Sequence, residues 1–469
     1  GWLGKGELEN VQTSGAGDWL TLRRVGALPG SSHWTHECAS AARTYFSPDK
    51  RVKAPLGILW YGDGPDHGFK KRKDYHAGVK PQVVNGVVVA FEDRSKHLRA
   101  YDVYTGRLLW ETPADQFTRF ASMPDGIYAA QADAVLVYDP VSGRELRKLP
   151  YGSTGQDGKP LAVADIRVGK NVVVVAGAFE KVRNIPKGLY NSDVLVGLDR
   201  RTGKQLWSLR ATDRFNHHGL AVGGDRVFIV DSPSADKAAA AQRRGNPPET
   251  LDSTVLALDA RTGKPTWKRV FANPFLSYHD SSYPQGSIQS LDDALFYSAA
   301  CDVLIVYKDR RYRGVNAGTG EPMWEIPRGA GQPIMIRGET FYNQGGGLFD
   351  VRTGEALNSS ARVRGGNGCN HAVAGEHLIF RRTFTAAFFD VHDGKAYYMR
   401  NARSGCTNSL IAADGVLSSP CFSVGCVCNH PLETSFCLVH MPGIETWAGT
   451  EPLEEPLPLG ERDPAKWRK

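Results

Sequence analysis

The sequence predicts an all-β protein: a β-propeller of four-stranded antiparallel blades. A short motif containing Asp, Gly and Trp recurs along the chain, and strand-like segments around a turn precede the copies. The 51 glycines and 27 prolines among 469 residues favour many turns over long helices. With 41% apolar residues, the chain has enough apolar side chains to bury a large core, which excludes an intrinsically disordered protein.

The repeat has the form apolar-x-Asp-x-x-Thr-Gly-x-x-x-Trp. Its fullest copies end at Trp110, Trp207 and Trp267, and a copy one residue shorter ends at Trp324. The Asp side chain can accept hydrogen bonds from backbone N–H groups two residues on, and Gly tolerates a positive φ. Each copy therefore predicts a strand, a tight turn and a second strand, whose Trp fills the gap between neighbouring sheets. The anchoring residues are Asp102, Asp139, Asp199, Asp259, Asn316, Asp350 and Asp390.

Seven motif copies predict seven blades that carry their own outer strand. Strand-like segments at 409–420 and 435–441 follow the seventh copy and lack a motif-bearing fourth strand. Residues 55–60 resemble an orphaned outer strand with its own Trp60. Pairing this segment with the C-terminal strands closes an eight-bladed ring and removes exposed sheet edges. A seven-bladed ring is the alternative.

The organisation predicted is one propeller domain at 52–447, preceded by an N-terminal extension at 1–51 and followed by a Pro-rich charged tail at 448–469. The chain starts at Gly1, so we expect a processed chain whose export signal is not in view. No apolar segment approaches the roughly 20 residues of a membrane-spanning helix, so we expect no transmembrane segment. The net charge of +7 comes without a run of five Lys or Arg, so we expect no nucleic-acid partner.

The repeat resembles the quinoprotein-like (PQQ-like) propeller superfamily over most of the chain. The block from Cys406 to Cys437, with Cys369 before it, is similar to secreted PQQ-like propeller proteins of planctomycete and verrucomicrobial bacteria. The superfamily includes quinone-dependent alcohol dehydrogenases and the lipoprotein that scaffolds outer-membrane protein assembly. The resemblance implies the fold, and the function has to be argued from a site.

In a propeller, the loops that lead into the innermost strands share one face with the loops between second and third strands. Ligands bind on this face, at the mouth of the central channel. The candidate catalytic residues in these loops are His217, His218, Tyr278, His279 and Tyr283, and the candidate substrate-binding residues are His76, Arg119, Asn216, His371, Arg381, Arg382, Arg403 and Asn408. For each histidine, a hydrogen-bonding role in the channel lining is the competing interpretation, and for each tyrosine it is packing.

A set of His, Tyr and Arg suits β-elimination on a uronic-acid polymer. Arg neutralises the carboxylate and acidifies the C5 proton, a His or Tyr removes that proton, and a second such group protonates the leaving oxygen. We therefore expect a monomeric propeller that binds a carbohydrate or anionic small molecule, with a polysaccharide lyase as the favoured enzyme. Alternatively, the histidines bind a divalent metal such as Ca, Mn or Zn, through His217, His218, His279 and His371.

Two further functions stay open. The first is a non-catalytic scaffold or binding propeller. The second is a quinone-dependent dehydrogenase, which needs a Trp stacked on the channel floor, calcium ligands and a catalytic Asp. Because the blade tryptophans are assigned to packing between blades, the sequence argues against PQQ as a cofactor.

The chain has 8 cysteines, six of them after residue 360. An even, clustered set favours disulfides and hence a secreted or periplasmic protein, while a four-thiolate metal site is the alternative. We expect Cys369 and Cys406 each to pair with one of Cys426 and Cys428, and Cys421 to pair with Cys437. A bridge between Cys38 and Cys301 would pin the N-terminal extension.

Overall fold

The computed structural model describes most of the chain. The ranges are 11–16, 19–24, 26–62, 81–92, 96–114, 118–152, 161–178, 191–233, 251–275, 293–327, 331–364, 371–399, 402–403, 410–420 and 432–444, with single residues at 237, 240, 243 and 244. Within these ranges, no helix combines the length and the apolar character needed to cross a membrane.

Four strands precede the repeating part of the chain. Strands β1 (Val11–Ala16) and β2 (Trp19–Arg24) form an antiparallel hairpin. Strand β3 (Phe46–Ser47) is fully buried, and strand β4 (Leu56–Tyr61) has exposed side chains. Both β3 and β4 join sheets that are formed by strands far away in the sequence.

The next fifteen strands form four antiparallel groups of four, which we name blades 1 to 4 in chain order. Blades 3 and 4 share one sheet because the long strand β16 supplies the outer strand of the first and the inner strand of the second. The strands are β5 (Gln82–Val84), β6 (Val87–Glu92), β7 (His97–Asp102), β8 (Leu108–Pro113), β9 (Arg119–Met123), β10 (Gly126–Ala130), β11 (Ala134–Tyr138), β12 (Glu145–Pro150), β13 (Ala162–Val168), β14 (Val172–Ala178), β15 (Asn191–Asp199), β16 (Gln205–Gly223), β17 (Arg226–Asp231), β18 (Ser253–Asp259) and β19 (Pro265–Phe271).

The remaining strands form blades 5 to 8 and one small parallel pair, β32 with β35. Strand β3 adds to the inner edge of blade 7. The strands are β20 (Ala294–Ser298), β21 (Val303–Lys308), β22 (Arg311–Asn316), β23 (Pro322–Ile326), β24 (Met335–Arg337), β25 (Thr340–Tyr342), β26 (Leu348–Asp350), β27 (Ala356–Leu357), β28 (Val373–Gly375), β29 (Leu378–Thr383), β30 (Thr385–Asp390), β31 (Ala396–Met399), β32 (Ala402–Arg403), β33 (Ile411–Ala413), β34 (Val416–Ser419), β35 (Leu432–Glu433) and β36 (Phe436–His440).

The last blade is completed by the N-terminal strand. Strand β4 pairs antiparallel with β36, as the sequence predicted, and the structure places Trp60 opposite Cys437 and Gly57 opposite Val439. The inner strand β33 of this blade lies against β5 of blade 1, so that the first and last blades meet. The all-β propeller prediction is confirmed. The number of blades in the ring stays a prediction, which the eight four-stranded groups of the described chain match.

The repeat motif folds as its residue types require. In the copy at Asp199, the carboxylate Oδ1 accepts hydrogen bonds from the N–H groups of Arg201 and Thr202 at 3.1 and 2.7 Å. Gly203 closes the turn at a φ of +74°. Hydrogen bonds, chiefly from Thr202, lower the pKa of the Asp199 carboxyl group. This local network forms within five residues, which is why the motif could be recognised in the sequence.

Each motif tryptophan joins its blade to the next one. The indole N–H of Trp207 donates to the carbonyl oxygen of Ala260 at 2.8 Å, and its ring covers Gly263 in the turn of the following blade. A Cβ atom added to Gly263 would lie 2.6 Å from the Trp207 ring, so only Gly allows this close approach. The equivalent hydrogen bonds run from Trp60 to Val103, Trp110 to Pro140, Trp267 to Ala317 and Trp324 to Val351.

We predict that Gly263→Ala destabilises the fold much more than Gly338→Ala. Both glycines have a left-handed φ, +66° and +59°, so each substitution introduces a strain of about 1–2 kcal/mol. Gly338 has open space around it, whereas a methyl group at position 263 must displace the Trp207 ring, which adds about 1–3 kcal/mol. Denaturant unfolding of both variants measures the difference. Equal losses of stability would contradict the docking of Trp207 on this turn.

Candidate functional site

A segment before the first blade crosses one end of the central channel. We name residues 31–52 the axial arm. It makes hydrogen bonds with all eight blades, at or beside the last residues of their inner strands. The incoming loops lie at the opposite ends of these strands, so the arm closes the face away from them. The contacts join Ser32 with Asp414, Trp34 with Val83, Thr35 with Ser122, the His36 ring with Val168, Ala41 with Val222, Ala42 with Tyr297, Thr44 with Ile336 and Tyr45 with Ala374.

The arm is held in a strained conformation. Ala39, Arg43 and Tyr45 have left-handed φ values of 71°, 62° and 48°, which cost roughly 1–2 kcal/mol for each residue that carries a Cβ atom. The carboxylate of Asp49 opposes this cost by accepting hydrogen bonds from the N–H groups of Ser32 and Gly415 at 3.0 and 2.8 Å. The arm therefore has a single defined path, and its side chains are placed accurately in the channel.

Arg43 extends from the arm into the channel. Its Nε donates to the carbonyl oxygen of Leu295 at 3.1 Å and its Nη1 to that of His217 at 3.5 Å. Its Nη2 donates to the Tyr45 hydroxyl at 3.3 Å, and the guanidinium lies over the rings of Tyr45 and Phe296. Leu295 is the second residue of β20, whereas the arm meets this strand at Tyr297, so the Arg43 side chain runs along the strand towards its start. Only 2% of Arg43 is exposed.

A second buried guanidinium comes from blade 3. Asp165 and Arg167 are two residues apart on β13, so both side chains project from the same face. Arg167 forms an ion pair with Asp165 at 2.7 Å, and its Nη1 lies 2.8 Å from the sulfur of Cys38 in the arm. Burial acts to lower the pKa of Arg167, but Asp165 together with Cys38, Glu37 and Tyr45 outweighs it, so the pKa is raised. Arg167 therefore keeps its charge inside the channel.

His217 lies among three arginines. Burial, followed by the positive charges of Arg119, Arg167 and Arg43, holds its pKa well below the usual 6.5. His217 is therefore neutral at neutral pH. Arg119 is the first residue of β9 and its Nε donates across to the carbonyl oxygen of Ala164 in blade 3, at 3.2 Å. We name Arg43, Arg119, Asp165, Arg167 and His217 the axial cluster.

The structure places other predicted site residues around this cluster. Asn216 has a structural position, because its Nδ2 donates to Phe275 O at 3.3 Å and its Oδ1 accepts from the His218 N–H at 2.9 Å. This holds the irregular stretch of β16 in which His217 and His218 lie. The His371 ring meets Tyr45 edge-on, with ring centres 5.4 Å apart. Among the predicted residues, Arg119 and His217 belong to the axial cluster.

Arg381 and Arg382 are adjacent on β29 of blade 7, next to the turn at Phe384. Arg382 is fully buried, whereas Arg381 is half-buried and burial lowers its pKa. The two side chains thus take opposite faces of the strand, as strand alternation predicted. His76, Tyr278, His279, Tyr283 and Asn408 lie outside the described residues, and of Arg403 only the backbone, in β32, is described.

Sequence reasoning missed the residues that the arm and β13 contribute. Arg43, Cys38 and Tyr45 belong to no repeat, so nothing in the sequence placed them in the channel. Asp165 and Arg167 carried a usable signal, since two charged residues at a spacing of two interrupt an otherwise apolar inner strand. That pattern predicts a charge pair on the face of the strand that lines the axis.

Two of the predicted disulfides are wrong. Cys38, Cys301 and Cys437 are free and buried. Burial raises the pKa of each of these three thiols. Cys38 lies beside Arg167 rather than Cys301, and Cys437 faces the core between β34 and β4, so neither the Cys38–Cys301 nor the Cys421–Cys437 bridge forms. Cys369, Cys406, Cys421, Cys426 and Cys428 lie outside the described residues.

The arm offers no exposed tryptophan face on which a quinone could stack. Trp34, the tryptophan of the arm, is only 1% exposed and packs in the core, so its face is not available for stacking. In the part of the chain that the structure describes, no three His, Cys, Asp or Glu side chains lie close enough to hold one metal ion. This includes His217, His218 and His371, whereas His279 lies outside that part.

A family model described as "Outer membrane protein assembly factor BamB" matches residues 190–342. A quinoprotein ethanol dehydrogenase of Pseudomonas aeruginosa is 31% identical over 98 residues, which are 19% of this chain. The match spans only 13% of that relative's length.

Solved structures share the fold at low identity. A quinohemoprotein alcohol dehydrogenase of Comamonas testosteroni is 13% identical with a TM-score of 0.54, covering 93% of this chain and 84% of the other. The quinohemoprotein alcohol dehydrogenase ADHIIG of Pseudomonas putida HK5 is 13% identical with a TM-score of 0.52, covering 92% and 82%. At such identities the likeness concerns the fold alone.

We predict that the fold loses stability as the pH falls below about 6.5 because of His36 and His217. Burial holds the pKa of both rings well below that value, so only the unfolded chain takes up these protons. Each ring then lowers the free energy of unfolding by about 1.4 kcal/mol for every unit by which the pH falls. In His36→Gln, the amide oxygen replaces the Nε2 that accepts the Val168 N–H. Unfolding curves between about pH 6.5 and 5 should show a shallower pH slope for this variant. Parallel slopes would contradict the assignment.

Proposed function

We propose that this chain, a PQQ-like β-propeller, binds an acidic carbohydrate at the mouth of its central channel and cleaves it by β-elimination. The observation that carries this proposal is the neutral His217 among Arg43, Arg119 and Arg167. The three arginines come from the arm, blade 2 and blade 3, and the charge of each acts on His217.

The charges of the cluster favour a carboxylate ligand. Among the described residues, three guanidinium groups act on this site together with two carboxyl groups, those of Asp165 and Glu37, so the described groups carry an excess of positive charge. A guanidinium presents a planar fork of donors that matches a carboxylate, and its attraction for an anion is stronger in a buried site than in water. A uronic acid supplies such a carboxylate on a sugar ring.

The state of His217 suits the removal of a proton. A general base must be unprotonated, and the lowered pKa keeps this imidazole neutral near neutral pH. In the proposed step, His217 takes the C5 proton while the arginines stabilise the negative charge that develops on the uronate carboxylate. The bond between C4 and its oxygen then breaks, a C4–C5 double bond forms, and the protonated His217 returns the proton to the leaving oxygen. The step needs no other reactant.

A protein-binding scaffold is the second candidate. The match of residues 190–342 to the assembly-factor family model favours it. A scaffold requires no charged cluster in the channel, so ligand binding that depends on the cluster distinguishes the two functions.

We predict that Arg119→Gln weakens binding to an acidic polysaccharide by roughly 10- to 100-fold, the loss of one charge-assisted hydrogen bond. Arg352→Gln is the matched control, since Arg352 is exposed and pairs with Glu339 on the opposite face. Calorimetric titration with polygalacturonate, alginate and hyaluronan measures the affinities. If no acidic polysaccharide binds, or if both variants bind like the natural chain, the channel is not the binding site.

We predict that His217→Gln abolishes cleavage and leaves binding within a few-fold of the natural chain. Glutamine keeps a polar side chain but cannot accept the C5 proton. The ultraviolet absorbance of the unsaturated uronate product follows the reaction. Binding without this absorbance on every polysaccharide tested would remove the lyase step and leave a binding module.

A further inference from the structure

The axial arm determines how a polymer can approach the axial cluster. We infer that the protein takes the end of an acidic glycan chain, or a short oligosaccharide, rather than an internal segment of a long polymer. This inference rests on the proposed function. It follows from the closure of the channel on one face.

The arm blocks passage through the ring. Its hydrogen bonds reach the inner strands of all eight blades at nearly the same level, next to the strand ends. Examples are Ser122, Tyr297 and Ala374, each the next-to-last residue of its inner strand. The arm follows the rim from blade to blade, and its Trp34, Cys38 and Tyr45 side chains are at most 7% exposed, so they fill the opening inside the ring. A chain that enters from the other face therefore has no exit.

Two side chains of the arm, Arg43 and Tyr45, also fill part of the channel. Arg43 reaches from the arm to the carbonyl oxygen of Leu295, near the start of β20, and only 2% of it is exposed. Tyr45 packs on Arg43, Phe296 and His371 and is only 7% exposed. Arg119 is the first residue of β9, at the end of the strand away from the arm. The cluster is thus closed on the side of the arm by Arg43 and Tyr45, and Arg119 lies at the end of its strand farthest from the arm.

Because the axial arm closes one end of the channel, the shape of a ligand decides whether it can reach the axial cluster. A terminal uronate can enter with its carboxylate towards Arg119 and His217, and the rest of the chain stays outside. An internal uronate would have to bring two flanking chains down the same opening and out again. Glycan chains linked through rigid sugar rings cannot turn back over one residue. The number of binding events should therefore follow the number of chain ends.

The experiment compares oligogalacturonides of increasing length with polygalacturonate by calorimetric titration of the full chain. We expect the same affinity per chain end at all lengths, so that the affinity per uronate falls in proportion to the length. A constant or rising affinity per uronate would overturn the inference while leaving the proposed function in place. The absence of binding at any length would overturn the proposed function, and this inference with it.

A second titration uses oligogalacturonides whose chain ends are chemically blocked. One set of oligomers is reduced at the reducing end, and another carries an unsaturated non-reducing end. We expect one of the two blocks to lower the affinity at least tenfold and the other to leave it unchanged. Equal binding of both blocked sets and the natural oligomers would show that ends are not recognised. In Arg119→Gln, the affinity for the preferred end should fall, whereas Arg352→Gln should keep it.

Discussion

The contact between a motif tryptophan and a glycine turn is the interaction on which this structure depends. A single four-stranded sheet of this size cannot bury both of its faces, so each blade is stable only against its neighbours. The indole ring supplies apolar area and its N–H bonds to a carbonyl oxygen of the next blade, as Trp207 does with Ala260. The glycine at the contact, such as Gly263, has no Cβ atom and a positive φ, so it satisfies a steric and a conformational requirement at once. Strand β4 extends this scheme across the junction of the chain ends, where Trp60 covers the first glycine turn.

The axial arm is a second constraint of a different kind. The tryptophan contacts join only successive blades, whereas the arm touches every blade in turn. It does so at the cost of left-handed backbone at Ala39, Arg43 and Tyr45. Strain of this sort persists only where the surrounding hydrogen bonds determine the conformation, and it is concentrated in functional segments. Here the strained residues are those that place Arg43 and Tyr45 in the channel.

Burying arginines in a protein interior is expensive unless each charge is compensated. Arg167 has Asp165 at 2.7 Å, and Arg43 has carbonyl oxygens and aromatic rings around it. Burial, and then the positive charges of Arg119, Arg167 and Arg43, lower the pKa of His217 and keep its ring neutral. A site that holds positive charge in place and a neutral base beside it is prepared for an anionic ligand before the ligand arrives. This preorganisation, and not the propeller fold, is the argument for the proposed function.

The sequence by itself determined the blade. The turn at Asp199 is closed by hydrogen bonds to residues two and three positions away, so its chemistry was visible in the repeat, and the pairing of β4 with the last blade followed from a missing strand. Only the tertiary structure decided the site. Cys38 and Arg167 are 129 residues apart and meet because the arm follows the ring, a path set by contacts with all blades together and by no local pattern. For the same reason the cysteines could not be paired from their count. Whether two cysteines meet depends on the direction in which their side chains project from separate strands. The Cys437 side chain projects into the core and is free.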